Sequence, residues 1–142
     1  MLDRDLIQRK IKLILEDLDR LREYKRYSFE EIAGDFVKTA VVERLLEKVI
    51  MRALDVNRHI LSELGKGPEK ILGYEDTFHA LSGLGVYDKE FAGRIARSAG
   101  LRNRLVHEYN DTDPAIIFAS AGDAVKQYAV YCEAVLKFAE KK

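Results

Sequence analysis

Arg102 and His107 stand five positions apart, with Asn103 between them, in the run Arg102-Asn103-Arg104-Leu105-Val106-His107-Glu108-Tyr109. A guanidinium is a planar fork of donors, suited to phosphate oxygens as negative charge builds on them. An imidazole with an unperturbed pKa near about 6.5 exchanges a proton at neutral pH, so it serves as base or acid in breaking a phosphate ester. Asn103 precedes His107 by one helical turn and offers an amide to orient a substrate or the ring. Each residue also has a plainer use. Arg102 can pair with an acidic neighbour inside a bundle, His107 can sit at the negative end of a helix dipole, and Asn103 can simply be solvated. Asp55 and His59, also one turn apart, read either as a local pair or as support for the site from an adjacent helix. His79 has no evident partner. Cys132 lies beside an apolar stripe and reads as a buried, inert thiol, and three scattered histidines with one cysteine form no metal set.

The elements that must hold these groups are helices. Ile7, Ile11, Ile14, Leu18 and Leu21 alternate spacings of four and three, which predicts a first helix from about residue 2 to 24 with one apolar stripe. Ser28 followed by Glu31 forms a capping-box pattern, and the sequence predicts a second helix from 29 to 64, with Gly34 its only weak point and Gly65, Gly67 and Pro68 its end. A short helix is expected over residues 74–84. Asp88 caps a further helix that carries the Arg102 region and stops near Tyr109, before the polar Asn110-Asp111-Thr112. Asp113 and Pro114 then open a last helix, striped by Ile117, Ala121, Ala124, Tyr128, Tyr131, Val135 and Phe138.

On a helical wheel the fourth helix, the one that Asp88 caps, has three faces. Phe91, Ile95, Ala99, Leu105 and Val106 form a core stripe with Arg102 in its middle, where a charge needs a partner or a solvent pocket. Ala92, Gly93, Ala96 and Gly100 lead on a second face to Asn103 and His107, and such small residues would let another backbone or a second subunit come close, the latter as a two-fold dimer. Arg94, Arg97 and Arg104 make a third, polar face.

Composition sets the frame. At 142 residues, 47% of them hydrophobic and only two proline, the chain predicts a single all-α domain over 1–142, an antiparallel four-helix up-and-down bundle with an additional short helix. The 24 basic and 24 acidic residues cancel, so any contact with nucleic acid must be local. Residues 88–109 supply one: Lys89, Arg94, Arg97, Arg102 and Arg104 against Asp88, Glu90 and Glu108. The lone cysteine and the charged N-terminal segment predict a cytoplasmic protein, with no apolar run that reaches the roughly 20 residues of a membrane span.

The order arginine, four residues, histidine, one residue, tyrosine, with an asparagine directly after the arginine and an apolar pair before the histidine, resembles the motif of HEPN-domain toxins of the HepT type. The resemblance implies the toxin of a type VII-like toxin–antitoxin system, a metal-independent endoribonuclease without a cofactor, acting on RNA as a homodimer whose two motifs face one cleft. It implies catalytic roles for Arg102, His107 and Asn103. It further implies that a cognate minimal nucleotidyltransferase antitoxin (MntA-like) neutralises the toxin by AMPylation of Tyr109, where phosphate and adenosine would obstruct an RNA phosphate. Two readings stay open beside it: a catalytically silent HEPN-like bundle that binds nucleotide or scaffolds a nucleotidyltransferase, and an adaptor whose arginine only packs.

Overall fold

A computed structural model describes residues 1–65, 73–107 and 113–142, with the side chains of 102–107 outside the described set. Helix α1 spans Arg4–Glu23, a 3-10 turn follows over Tyr24–Arg26, and then come α2 Phe29–Ala33, α3 Phe36–Leu64, α4 Tyr74–Gly83, α5 Lys89–His107 and α6 Pro114–Glu140. The four long helices make the expected bundle, and α4 is the short addition. No strand occurs among the described residues.

Local chemistry sets most of the boundaries. The Asp3 carboxylate caps α1, Ser28 and Glu31 close both bonds of a capping box, and the Asp113 carboxylate accepts from the Ala115 amide with Pro114 in the first turn. The one continuous helix expected over 29–64 is in fact two. At Gly34 the chain leaves the helix, and Asp35 restarts it with an extended backbone (φ −122°, ψ 111°) and a carboxylate that accepts from the amides of Val37 and Lys38. Thr39 Oγ1 donates at 2.6 Å to the Ile32 carbonyl, which also accepts from the Asp35 amide at 3.2 Å, so the end of α2 is tied to the first turn of α3. An aspartate side chain supplies two amides at once here, which outweighs the unbroken apolar pattern.

The predicted stripe of α1 is buried at every position, from Ile7 to Leu21. It packs antiparallel on α3, as cross-links along the pair show: the Asp3 amide to His59 Nε2 (2.9 Å), Lys10 Nζ to Asp55 Oδ2 (3.0 Å), and Arg52 to Asp17. Asp17 is fully buried on the same face as the apolar stripe, where Arg20 Nη1 (2.8 Å) and Lys48 Nζ (3.9 Å) join Arg52 around its carboxylate. At the other side of α3 the Tyr131 hydroxyl of α6 donates to Asn57 Oδ1 (2.6 Å), and Asn57 Nδ2 donates to Thr77 Oγ1 of α4 (3.0 Å). Three helices are thereby registered by one buried polar chain, set among the rings of Phe78, Tyr128 and Tyr131.

Candidate active site

Helix α5 is the platform. The Asp88 carboxylate accepts from the Phe91 amide at 2.8 Å, so the cap predicted for this helix is present. Phe91, Ile95 and Ala99 bury the core stripe as expected, and Leu101 is buried next to Arg102. Arg94 and Arg97 point outward; Arg94 pairs with Glu90 at 3.0 Å.

Of the two neighbours open to the small face, the structure supplies another backbone of the same chain and not a second subunit. Ala92 and Ala96 are buried within the chain itself, and a side chain added at Gly100 would meet Glu75 of α4 at 3.4 Å. Helix α4 lies along α5 as the closest-packed pair of the fold, so it occupies the approach that a second subunit was expected to take. Periodicity marks such a face as small; it does not say which element covers it.

Arg102, Asn103 and His107 fall in the last two turns of α5, whose helical backbone continues through His107. Helical register sets Arg102 one turn beyond Ser98, and sets Asn103 and His107 one turn apart on a common face. Their side chains, and Tyr109 with the predicted stop beside it, lie outside the described residues.

Next to this end of α5 is a cleft of about 240 Å³. Leu46 and Ile50 of α3, Leu101 of α5 and Ala124 of α6 form its apolar part, and Arg94, Arg97, Ser98, Ser120, Asp123 and Gln127 its polar part. It exists because α5 packs closely on α4 and only lightly on α6, the two being held by a hydrogen bond between the Ser98 and Tyr128 hydroxyls. Burial raises the Tyr128 hydroxyl pKa well beyond that of an ordinary tyrosine, so it remains a neutral structural hydroxyl. Sequence reasoning missed Ser120, Asp123 and Gln127. Each directly precedes a stripe position of α6, which turns it about 100° from the core and toward α5.

Asp55 and His59 do not pair with each other. Asp55 binds Lys10 and His59 accepts from the Asp3 backbone, so both tie α3 to α1. They lie beyond Ile50 along α3, away from the cleft. His79 is exposed on α4. Cys132 is buried, and burial pushes its thiol up to about 12, in keeping with an inert side chain. Among the described residues, no group of three or more histidine, cysteine or acidic side chains is arranged to hold a metal ion, and no helix is long and apolar enough to cross a membrane.

Residues 14–135 match the family model described as Ribonuclease HepT-like. The chain belongs to the HepT-like ribonuclease family. Membership makes it an endoribonuclease by class, and the matched span contains both the Arg102–Tyr109 motif and every residue of the cleft. This HepT-like chain is 38% identical over 129 residues to the tRNA nuclease HepT of Aphanizomenon flos-aquae, covering 89% of this chain and 84% of that one. It is 31% identical over 111 residues to a putative RNase of Archaeoglobus fulgidus, covering 78% and 76%. Among solved structures, a tri-AMPylated Shewanella oneidensis HEPN toxin in complex with MNT antitoxin superposes with a TM-score of 0.81 at 19% identity, over 95% of this chain and 98% of that one. The cytosolic Bacillus subtilis protein YutE, of unknown function, superposes with a TM-score of 0.79 at 13% identity, over 99% and 92%. At those identities the likeness shows the fold alone.

Proposed function

We propose that this HepT-like ribonuclease is the toxin of a toxin–antitoxin pair and cuts RNA by attack of a ribose 2′-OH on the adjacent phosphate. The observation that carries the reading is the complete sequence motif from Arg102-Asn103 through His107 to Tyr109, with the backbone of Arg102 to His107 forming the end of a packed helix next to an arginine-rimmed cleft. In the reaction the 2′-oxygen bonds to phosphorus and the bond from phosphorus to the 5′-oxygen breaks. His107 takes the 2′-hydroxyl proton, and an imidazolium returns a proton to the leaving 5′-oxygen. Arg102 holds the non-bridging oxygens as charge gathers there, and Asn103 orients the ring or the substrate. The products are a 2′,3′-cyclic phosphate and a 5′-hydroxyl. DNA lacks the attacking group and is not a substrate. No step needs a metal ion.

Alanine at Arg102 or His107 should each lower cleavage by about 10²-fold or more with the far-UV spectrum of a helical protein unchanged, and EDTA should leave the wild type active. Full activity in His107→Ala, or loss with EDTA that added metal restores, would refute the mechanism.

The same reading makes the active unit a homodimer with two motifs on one cleft. Because Ala92 and Ala96 are covered within the chain, the two-fold contact must use another face. Light scattering that finds a monomer at every concentration with RNase activity intact would count against it. Control falls to a nucleotidyltransferase antitoxin that adds AMP to Tyr109, a reading supported by the AMPylated state named for the Shewanella relative. Incubation with that enzyme, ATP and magnesium should add one or more AMP masses to the Tyr109 peptide, and Tyr109→Phe should escape neutralisation while still cutting RNA. Neutralisation with Tyr109 unmodified would exclude this route.

A further inference from the structure

Arg94 and Ser98 of the polar side of the α5–α6 cleft have partners in the fold, and the rest of that side has none among the described residues. Arg97, Ser120, Asp123 and Gln127 converge on it from two helices, and none has a hydrogen-bond or ion-pair partner among the described residues. Opposite charges on Arg97 and Asp123 flank one cleft without closing on each other. At about 240 Å³ the cleft is smaller than the roughly 300–1,000 Å³ of sites for drug-sized ligands, a scale that suits one base and not a base pair. Its apolar wall includes Ile50 and Leu101, and Leu101 directly precedes Arg102. Ser98, within the cleft, stands about one turn, roughly 6 Å along the axis, from Arg102.

We infer that this cleft is a base-reading subsite that takes one unpaired guanine beside the scissile phosphate, Asp123 and Gln127 reading its Watson–Crick edge and Arg97 holding a neighbouring phosphate. The inference rests on the RNase reading above. Single-stranded RNA is read in this way, through splayed bases hydrogen-bonded on their edges. Guanine alone offers two adjacent donors, N1–H and the 2-amino group, to the two oxygens of one carboxylate. Its O6 lies at the far end of the same edge, where the amide of Gln127, one helical turn from Asp123, can donate. Adenine and cytosine would set a ring-nitrogen acceptor against the carboxylate, and uracil a carbonyl on either side of its single N–H. The flanking arginine contributes phosphate affinity without base choice.

The test uses the full chain and two 2′-O-methylated hexanucleotides, which cannot be cut: uridines with one central guanine, and all uridines. The wild type should bind the guanine oligonucleotide at least about tenfold more tightly, the scale of one bidentate base contact. Asp123→Asn meets a donor with a donor and should abolish that preference; Asp123 is exposed, so the fold is not at stake. Arg97→Ala should weaken both oligonucleotides alike and flatten the salt dependence of Kd. In cleavage of an unmodified RNA pool, guanine should be enriched at one fixed position next to the cut by the wild type and not by Asp123→Asn. Equal Kd values for the two oligonucleotides, or a preference that survives Asp123→Asn, overturn the subsite. Failure of the wild type to cut any RNA would sink the proposed function instead, and the binding arm would still decide the subsite.

Discussion

Replacing Arg52 with alanine should cost the protein about 3 kcal/mol, because it strips the main partner from a carboxylate that the fold has taken out of water. The Asp17 side chain is 1% exposed, and Arg52, itself only 16% exposed, bonds to its Oδ2 across the α1–α3 interface. Arg20 (58% exposed) and Lys48, 3.9 Å away, remain to compensate in part. Breaking a buried pair by removing one partner costs about 3–5 kcal/mol, and the residual partners place this case at the low end. Against a total stability of about 5–15 kcal/mol that is a large fraction, equivalent to roughly 10 °C in Tm for a chain of this size. Arg20→Ala, which removes an exposed partner, should cost no more than about 1 kcal/mol. The double replacement Asp17→Leu with Arg52→Met should recover most of the loss, since no charge is then left buried. Urea titrations followed by circular dichroism measure all three. An Arg52→Ala midpoint within about 1 kcal/mol of wild type at unchanged slope would show that Arg20 and Lys48 suffice to hold Asp17.

Three further outcomes are expected. Gly93 lies inside α5 with nothing within 4 Å of where a Cβ would stand, so Gly93→Ala should stabilise the protein by about 0.5–1 kcal/mol in the same titration. Cys132 ionises near 9 when unconstrained and about 12 in the fold, so the stability it contributes is fully present below pH 9 and is lost as pH rises from there to 12. Native protein at pH 8 should therefore resist thiol alkylation that goes to completion in urea, and ready labelling of the folded chain would disprove the burial. Ala96→Trp should destabilise by about 1–3 kcal/mol or more through overpacking inside a single chain, and a fully stable variant whose only defect is dissociation of a dimer would contradict the intrachain burial of this face.

The parts of the fold that were legible in the sequence are those decided within one turn of backbone. Ser28 with Glu31, Asp88, and Asp113 with Pro114 open helices through bonds to amides two or three residues away, and the periodic stripes of α1 and α6 face inward because one period defines one face. What escaped depends on residues far along the chain. The Asp35 cap hides inside an apolar pattern that continues across it. His59 and Asp55 look like partners at i,i+4 until α1 arrives with the Asp3 amide and Lys10. The face of Ala92 and Ala96 is correctly small, but its neighbour is α4, which returns through the turn at Gly85, the one residue in the described chain with positive φ (86°). At the candidate site, the Arg102–Tyr109 motif is visible in the sequence as a pattern of types and spacing, whereas Ser120, Asp123 and Gln127 become a set only when α6 is laid beside α5.

That asymmetry around α5 also suits the proposed metal-independent chemistry, which needs a site both rigid and accessible. Catalysis by hydrogen-bond donors depends on their being held in place before substrate arrives, since donors that must reorganise forfeit most of their advantage. One side of α5 is packed against α4, and the core residues Phe91, Ile95 and Ala99 anchor the helix. Toward α6 the packing is lighter, with the Ser98–Tyr128 bond joining the two helices, and the cleft opens beside it. A helix packed all round would bury Arg97, Asp123 and Gln127 without partners, at a cost of several kcal/mol for each charge. A helix packed on neither side would not hold its last turns still. Firm packing toward α4 with an open polar seam toward α6 meets both requirements, and under the proposed function that seam would lead a single-stranded substrate to the end of α5 that carries Arg102 and His107.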